Sequence, residues 1–376
     1  MSYPKFRICL AAVALGILMA ACSSSPTRQP AALGQEPAGL SVRLSWSSKV
    51  GAINYPAQLH VSGGRVGVAS SDGVVVLLDA TTGADIWRTS IGASVSAGVG
   101  HDGQTLALAT TGNEILALRN GAVLWRFKMP ARVYTAPLVA GGRVFVLAAD
   151  RSVTALDADN GSQLWRQARS QSDALVLEQA GVLVPVGNTL VAGFPGRLAG
   201  MNPGTGSTLW DALFASSRAT NDVERLLDVV GPVNRLGSSV CARAYQNAVG
   251  CVNAATGQSV WSKPSAGYSG LGGNEQAVFG ADAESVVTAY SRDKGEKLWS
   301  SDRFQYRDLT APLATSKGLV VGDAFGYLHW LALSSGQATA RLQVDSSAVI
   351  YSPLVLADGR VLAITRSGTL AALTAN

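Results

Sequence analysis

Three histidines and four cysteines are the side chains from which metal binding, redox chemistry or acid–base catalysis would have to be built in this 376-residue chain. His60, His101 and His329 lie far apart, without the short spacings that gather imidazoles and thiolates round one ion. His60 and His329 fall in strand-like segments and His101 in a GHDG turn, so each reads as a surface or hydrogen-bonded histidine. Cys241 and Cys251 stand in SSVCARAYQNAVGCVNA, two strand-like runs about a turn near Gln246-Asn247, which sets them opposite one another. Two readings are open: a disulfide, which needs an oxidising compartment and the right ladder pairing, or two small buried apolar side chains. No catalytic residue, metal or cofactor is expected.

The other two cysteines belong to the N-terminus. Residues 1–21 read MSYPKFRICLAAVALGILMAA: two cations, an uncharged apolar run from Ile8, then small residues. That is the pattern of a secretory signal, too short for a stable membrane span. Leu18-Met19-Ala20-Ala21-Cys22 resembles the bacterial lipobox, which implies cleavage after Ala21 and lipid on Cys22. The other reading is a plain signal-peptidase site with a free thiol. Ser23 follows in place of the aspartate that resembles an inner-membrane retention signal, which points to the outer membrane. Residues 22–39, rich in Ser, Pro, Ala and Gly, read as a flexible tether between lipid and folded domain.

The elements that must carry these residues are set by a repeat. Charged residues are only 15% and glycines number 41, which favours short strands and tight turns, and the net charge of +5 is too small to imply a nucleic-acid partner. A small apolar strand, a turn with Gly, then Trp four residues on recurs along the chain, ending at Trp87, Trp125, Trp165, Trp210, Trp261 and Trp299. A seventh copy has Ala340 in the Trp slot, and an eighth begins at Ser367 and runs into the C-terminus without its last strand. Steps from Gly83 through Gly121, Gly161, Gly206, Gly257 and Gly295 to Gly336 are 38, 40, 45, 51, 38 and 41 residues, the period of a propeller blade. The expected fold is all-β: residues 40–376 form an eight-bladed β-propeller of four-stranded antiparallel blades. LSVRLSW, ending at Trp46, supplies the missing strand of the C-terminal blade and closes the ring. The tryptophans then read as wedges between blades, while Trp330, on a third strand, has no assigned role.

The pattern A-x-D-x-x-T-G-x-x-x-W, present as LDATTGADIW and LDADNGSQLW, resembles the repeat of pyrroloquinoline-quinone enzymes and their non-catalytic relatives. With the lipobox and eight units, the chain from Cys22 to Asn376 resembles the BamB family, lipoprotein subunits of the outer-membrane β-barrel assembly machinery. The resemblance implies a scaffold that faces the periplasm, binds the periplasmic domains of the central barrel subunit (BamA-like) and assists unfolded outer-membrane protein clients. The two longest repeat steps, 45 and 51 residues, place their extra length in two connections, after Trp165 and Trp210, which rise from one rim in neighbouring blades, and the resemblance places partner contacts in both. In the first, Leu175 and Leu177 match apolar contact residues, with Glu178 where the family has an arginine. In the second, ERLLDV resembles a contact motif, with Asp228 on its acidic position and Val230 where the family has a further acidic residue. The spacing of Val223, Leu226, Leu227 and Val230 behind Asn221 and Glu224 predicts a short capped helix, whose apolar face either packs on the blade below or meets the partner.

Two other function classes share the repeat. A quinone-dependent dehydrogenase needs groups for the quinone and a calcium ion, and those enzymes typically carry adjacent cysteines, which this chain lacks. A surface adhesin or glycan-binding propeller is the third, because repeats do not reveal what the rims touch.

Overall fold

The computed structural model describes residues 28–168, 175–217, 221 and 226–376, and every regular element among them is a β-strand. The strands form eight four-stranded antiparallel sheets. Seven blades are continuous stretches of chain: residues 60–90, 100–128, 138–167, 183–213, 229–264, 272–301 and 313–343, each with strands A to D in order. Strands A of neighbouring blades touch round the axis, and strands D form the outer edge. Blade 8 takes strands A to C from residues 354–375 and strand D from Val42–Lys49, which pairs with Thr369–Ala375. The expected ring and its closure by the N-terminal strand are thus found.

Strands B and C are apolar on both faces because each blade is covered on both sides. Ala69, Val75 and Leu77 of blade 1 pack against Leu106, Leu108, Leu116 and Leu118 of blade 2, and comparable clusters fill the other gaps. This is why these strands read as unbroken apolar runs while strands D alternate.

The tryptophans do wedge blades together. Each lies over the glycine in the C-to-D turn of the next blade, from Trp46 on Gly83 to Trp299 on Gly336. A Cβ at Gly161 would meet the Trp125 ring at 2.6 Å, and this glycine has φ +74, so both contact and backbone require the missing side chain. Indole N–H groups add a bolt in four places: Trp125 to Ala158 O (2.9 Å), Trp165 to Pro203 O (3.0 Å), Trp261 to Arg292 O (2.8 Å) and Trp299 to Leu333 O (2.9 Å).

Trp330 finds its role here. Every slot tryptophan stands opposite a strand C residue, as Trp125 does Ala117 and Trp299 does Ala289. In blade 7 the pair is exchanged, with Trp330 on strand C facing Ala340 on strand D. Trp330 is fully buried among Val320, Leu328, Val361 and Leu373. The exchange has a cause: blade 8 has no C-to-D turn, since its strand D comes from the other end of the chain, so no turn glycine awaits a tryptophan at 340.

Every strand D also carries a bulge. Ala117 pairs with Trp125 but Leu118 with Val123, leaving Leu124 as the extra residue, and the shift recurs at the same place in all eight blades. The extra residue is Ser45, Ile86, Leu124, Leu164, Leu209, Val260, Leu298 or Thr339, always the one before the slot. Bulges twist an edge strand and spoil it as a template for further pairing.

The stretch read as a tether behaves differently in its described part. Residues 28–39 are laid against blades 6 and 7: Ala31 N–H donates to Gln305 O (2.9 Å) and Gly39 N–H to Thr339 O (3.1 Å). Leu33 packs against the core that holds Phe304 and Leu309. The signal segment, Cys22 and the rest of the tether lie outside the described residues.

Candidate functional site

The D-to-A connections and B-to-C turns share one rim of the disc, the loop rim. The two long connections meet there over blade 4. Gly231 N–H donates to Ala180 O (2.9 Å), and Leu177 N–H to Asp228 Oδ2 (3.1 Å). Between them stands Arg151, whose Nη2 donates to Leu175 O (3.0 Å) and lies 3.4 Å from Asp228 Oδ1. The Arg151 side chain is 8% exposed and that of Asp228 19%, so this ion pair is largely withdrawn from water. In such a place one charge without the other is costly, about 3–5 kcal/mol when a buried pair is broken. Asp228 is therefore the knot that holds both connections in one shape.

Arg151 went unnoticed in the sequence, although a signal exists. It occupies the left-handed position of a B-to-C turn, with φ 62, where blades 1, 4, 7 and 8 place Gly73, Gly196, Gly326 and Gly368. A long side chain there is strained by about 1 kcal/mol or more and has to be held by its surroundings.

What the knot presents is the backbone turn at residues 175–178. Leu175 is 41% exposed, Leu177 is half-buried and Glu178 is exposed. The Glu178 carboxylate accepts from Tyr134 Oη (2.9 Å) in the preceding connection, and burial together with that carboxylate raises the phenol's pKa. Beside this turn the mouth of the central channel opens as a cavity of ≈ 410 Å³, lined in part by Tyr55, Glu178, Tyr268, Asp308, Tyr351 and Arg366.

Two expectations for the second connection need correction. Leu226 to Asp228 are irregular and Val229–Leu236 is strand A of blade 5, so the described part of the expected helix is not helical; Val223 and Glu224 lie outside the described residues. From Leu226 on, the apolar residues belong to a chain descending into a strand. Val230 pairs with Arg243 and is 2% exposed, so its side chain faces the propeller core and not a partner.

Cys241 and Cys251 are direct partners on strands B and C of blade 5, with Cα atoms 4.0 Å apart and the sulfurs joined. Both are buried behind Trp261. The histidines are not all apart, although their spacing suggested it: across blades 1 and 2 the His60 and His101 rings meet edge-on at 5.2 Å and His101 Nε2 meets His60 O (2.9 Å), whereas His329 Nε2 meets Asp323 Oδ2 (2.9 Å) within blade 7. Among the described residues no three of His, Cys, Asp and Glu cluster so as to hold a metal ion, and no helix is long and apolar enough to cross a membrane.

A ring locked blade to blade, with its exposed leucine turn held by an internal ion pair, defines a propeller of the pyrroloquinoline-quinone repeat type that presents a shaped rim. Comparison with known proteins narrows this class. The family profile described as outer membrane protein assembly factor BamB matches residues 71–301 and 273–376. The chain is 35% identical over 352 residues to outer membrane protein assembly factor BamB of Bordetella pertussis, covering 93% of this chain and 91% of that one. It is 33% identical over 365 residues to the Burkholderia pseudomallei protein of the same name, covering 96% and 95%. The crystal structure of BamB from Moraxella catarrhalis superposes with a TM-score of 0.80 at 22% identity, over 89% of this chain and 100% of that one. The chain belongs to the BamB family of outer membrane protein assembly factors.

Proposed function

We propose that this protein is a scaffold subunit of the outer-membrane β-barrel assembly machinery, anchored by lipid on Cys22 in the outer membrane with its ring in the periplasm. Its loop rim binds the periplasmic domains of the central barrel subunit and helps deliver unfolded outer-membrane clients. The observation that carries this reading is the exposed Leu175–Glu178 turn fixed by Arg151 and Asp228, in a chain of this family. A rigid loop with an exposed leucine suits a hot spot, because little entropy is lost on docking. Asp228 then acts by shaping the turn more than by direct contact, since its carboxylate already serves Arg151 and Leu177.

Leu175→Ala with Leu177→Ala is expected to lower recovery of the barrel subunit on co-purification from envelope membranes while the melting temperature stays close to wild type. Unchanged recovery would remove this turn as the contact. Lipid on Cys22 is checked by labelled palmitate, incorporated by the wild-type chain and absent from Cys22→Ser.

A further inference from the structure

The described part of the expected tether has a built receptor on the ring. Arg307, in the connection between blades 6 and 7, is 7% exposed; its Nε donates to the fully buried Asp323 Oδ2 (2.8 Å), which also meets His329 Nε2. The Arg307 ring partner is Phe325, 4.6 Å below the guanidinium. So held, Arg307 has its Nη1 left to donate to Ala31 O (3.1 Å). Arg303 takes the carbonyls of Ala32 and Leu33, and Arg341 that of Gly34 (2.9 Å). Three arginines thus grip four successive carbonyls of a segment that has no regular structure.

The direction of this segment is informative. Its first described residue, Arg28, lies over the Tyr306 ring (5.5 Å) and 3.8 Å from Glu284, and both partners are on the loop rim, in a D-to-A connection and a B-to-C turn. Its end, Gly39, meets Thr339 at the start of strand D of blade 7, towards the opposite rim. The chain therefore crosses the whole edge of the disc, and Cys22 is only six residues from a point fixed on the loop rim. Six residues span at most about 20 Å.

We infer that residues 28–39 are a fixed strap and not a leash, so that the lipid leaves from the loop rim beside blades 6 and 7 and turns that rim toward the bilayer. The inference rests on lipidation of Cys22. Its consequence is that the Leu175–Glu178 turn faces the space between ring and membrane, and a partner must enter that space to dock.

The test uses the full lipidated protein on vesicles containing headgroup-labelled acceptor lipid, with a donor dye at Asp72, in a B-to-C turn, or at Lys317, in an A-to-B turn. Energy transfer is expected to be greater from position 72 than from 317. That excess is expected to be lost in Arg303→Ala with Arg341→Ala, two substitutions outside the buried core. Failure of the wild-type protein to float with vesicles would overturn the lipid reading and the inference with it. Flotation with equal transfer from the two rims, or an excess unaltered by the double substitution, would overturn the strap alone.

Discussion

At the scale of single residues, buried side chains here are held by partners from distant parts of the chain. Trp330 replaces in strand C the tryptophan that Ala340 omits from strand D, and Trp330→Ala is expected to lower stability by about 3–5 kcal/mol, the range for emptying a large aromatic site. Ala340→Trp added to that variant is not expected to restore it, because no turn glycine lies beyond position 340; denaturant unfolding of the three proteins checks both points. The histidines give a pH dependence. Burial lowers the pKa of His101, to about 4, and that of His329, against hydrogen bonds that raise it. They are neutral in the ring, whereas the unfolded chain takes up protons below about pH 6.5. Stability present above that value is therefore lost progressively as pH falls toward 4, and His101→Gln is expected to flatten the fall in unfolding midpoint between pH 7 and 5.

At the scale of strands and turns, the hairpin with Cys241 and Cys251 gives the next prediction. Cys241→Ser with Cys251→Ser is expected to reduce stability by about 2–3 kcal/mol, from a loop of this length, read as a lower melting temperature. Blade spacing was legible because each blade has to carry a turn glycine to receive the preceding tryptophan and, four residues on, its own tryptophan to cover the next blade's glycine, and the opposed cysteines were legible from the turn between them. The bulges were not, because in six of the eight blades the extra residue is as apolar as a core residue, and nothing in its type marks it as turned outward. The described end of the expected helix is not helical for a related reason: Leu226, Leu227 and Val230 fit a helical face, but Val229 and Val230 start an inner strand whose neighbours supply the burial. Arg151, Arg303 and Arg307 are not marked in the sequence, because the carboxylates that pair with Arg151 and Arg307 stand at no repeated spacing from them and their other acceptors, like both of those of Arg303, are backbone carbonyls, which sequence does not label.

At the scale of the whole molecule, stability depends on the seam in blade 8. Val42 faces Ala375 and Lys49 faces Thr369 across one pair of strands, so the two ends of the chain are the clasp of the ring. Removal of residues 40–46 is expected to lower the melting temperature of the entire ring in one transition and to bare an unbulged strand edge at Thr369–Ala375, seen as concentration-dependent association. An unchanged melting temperature would show that the clasp is dispensable.

That clasp also orders events in time. In chain order the strand Val42–Lys49 is the first of the ring and its partner, Thr369–Ala375, the last. On the proposed route of export the N-terminal strand reaches the periplasm first, and it has to wait there, unpaired, until the C-terminal strand has followed. Seven blades can close within their own stretches of chain, but the ring is sealed only by the last residues to arrive.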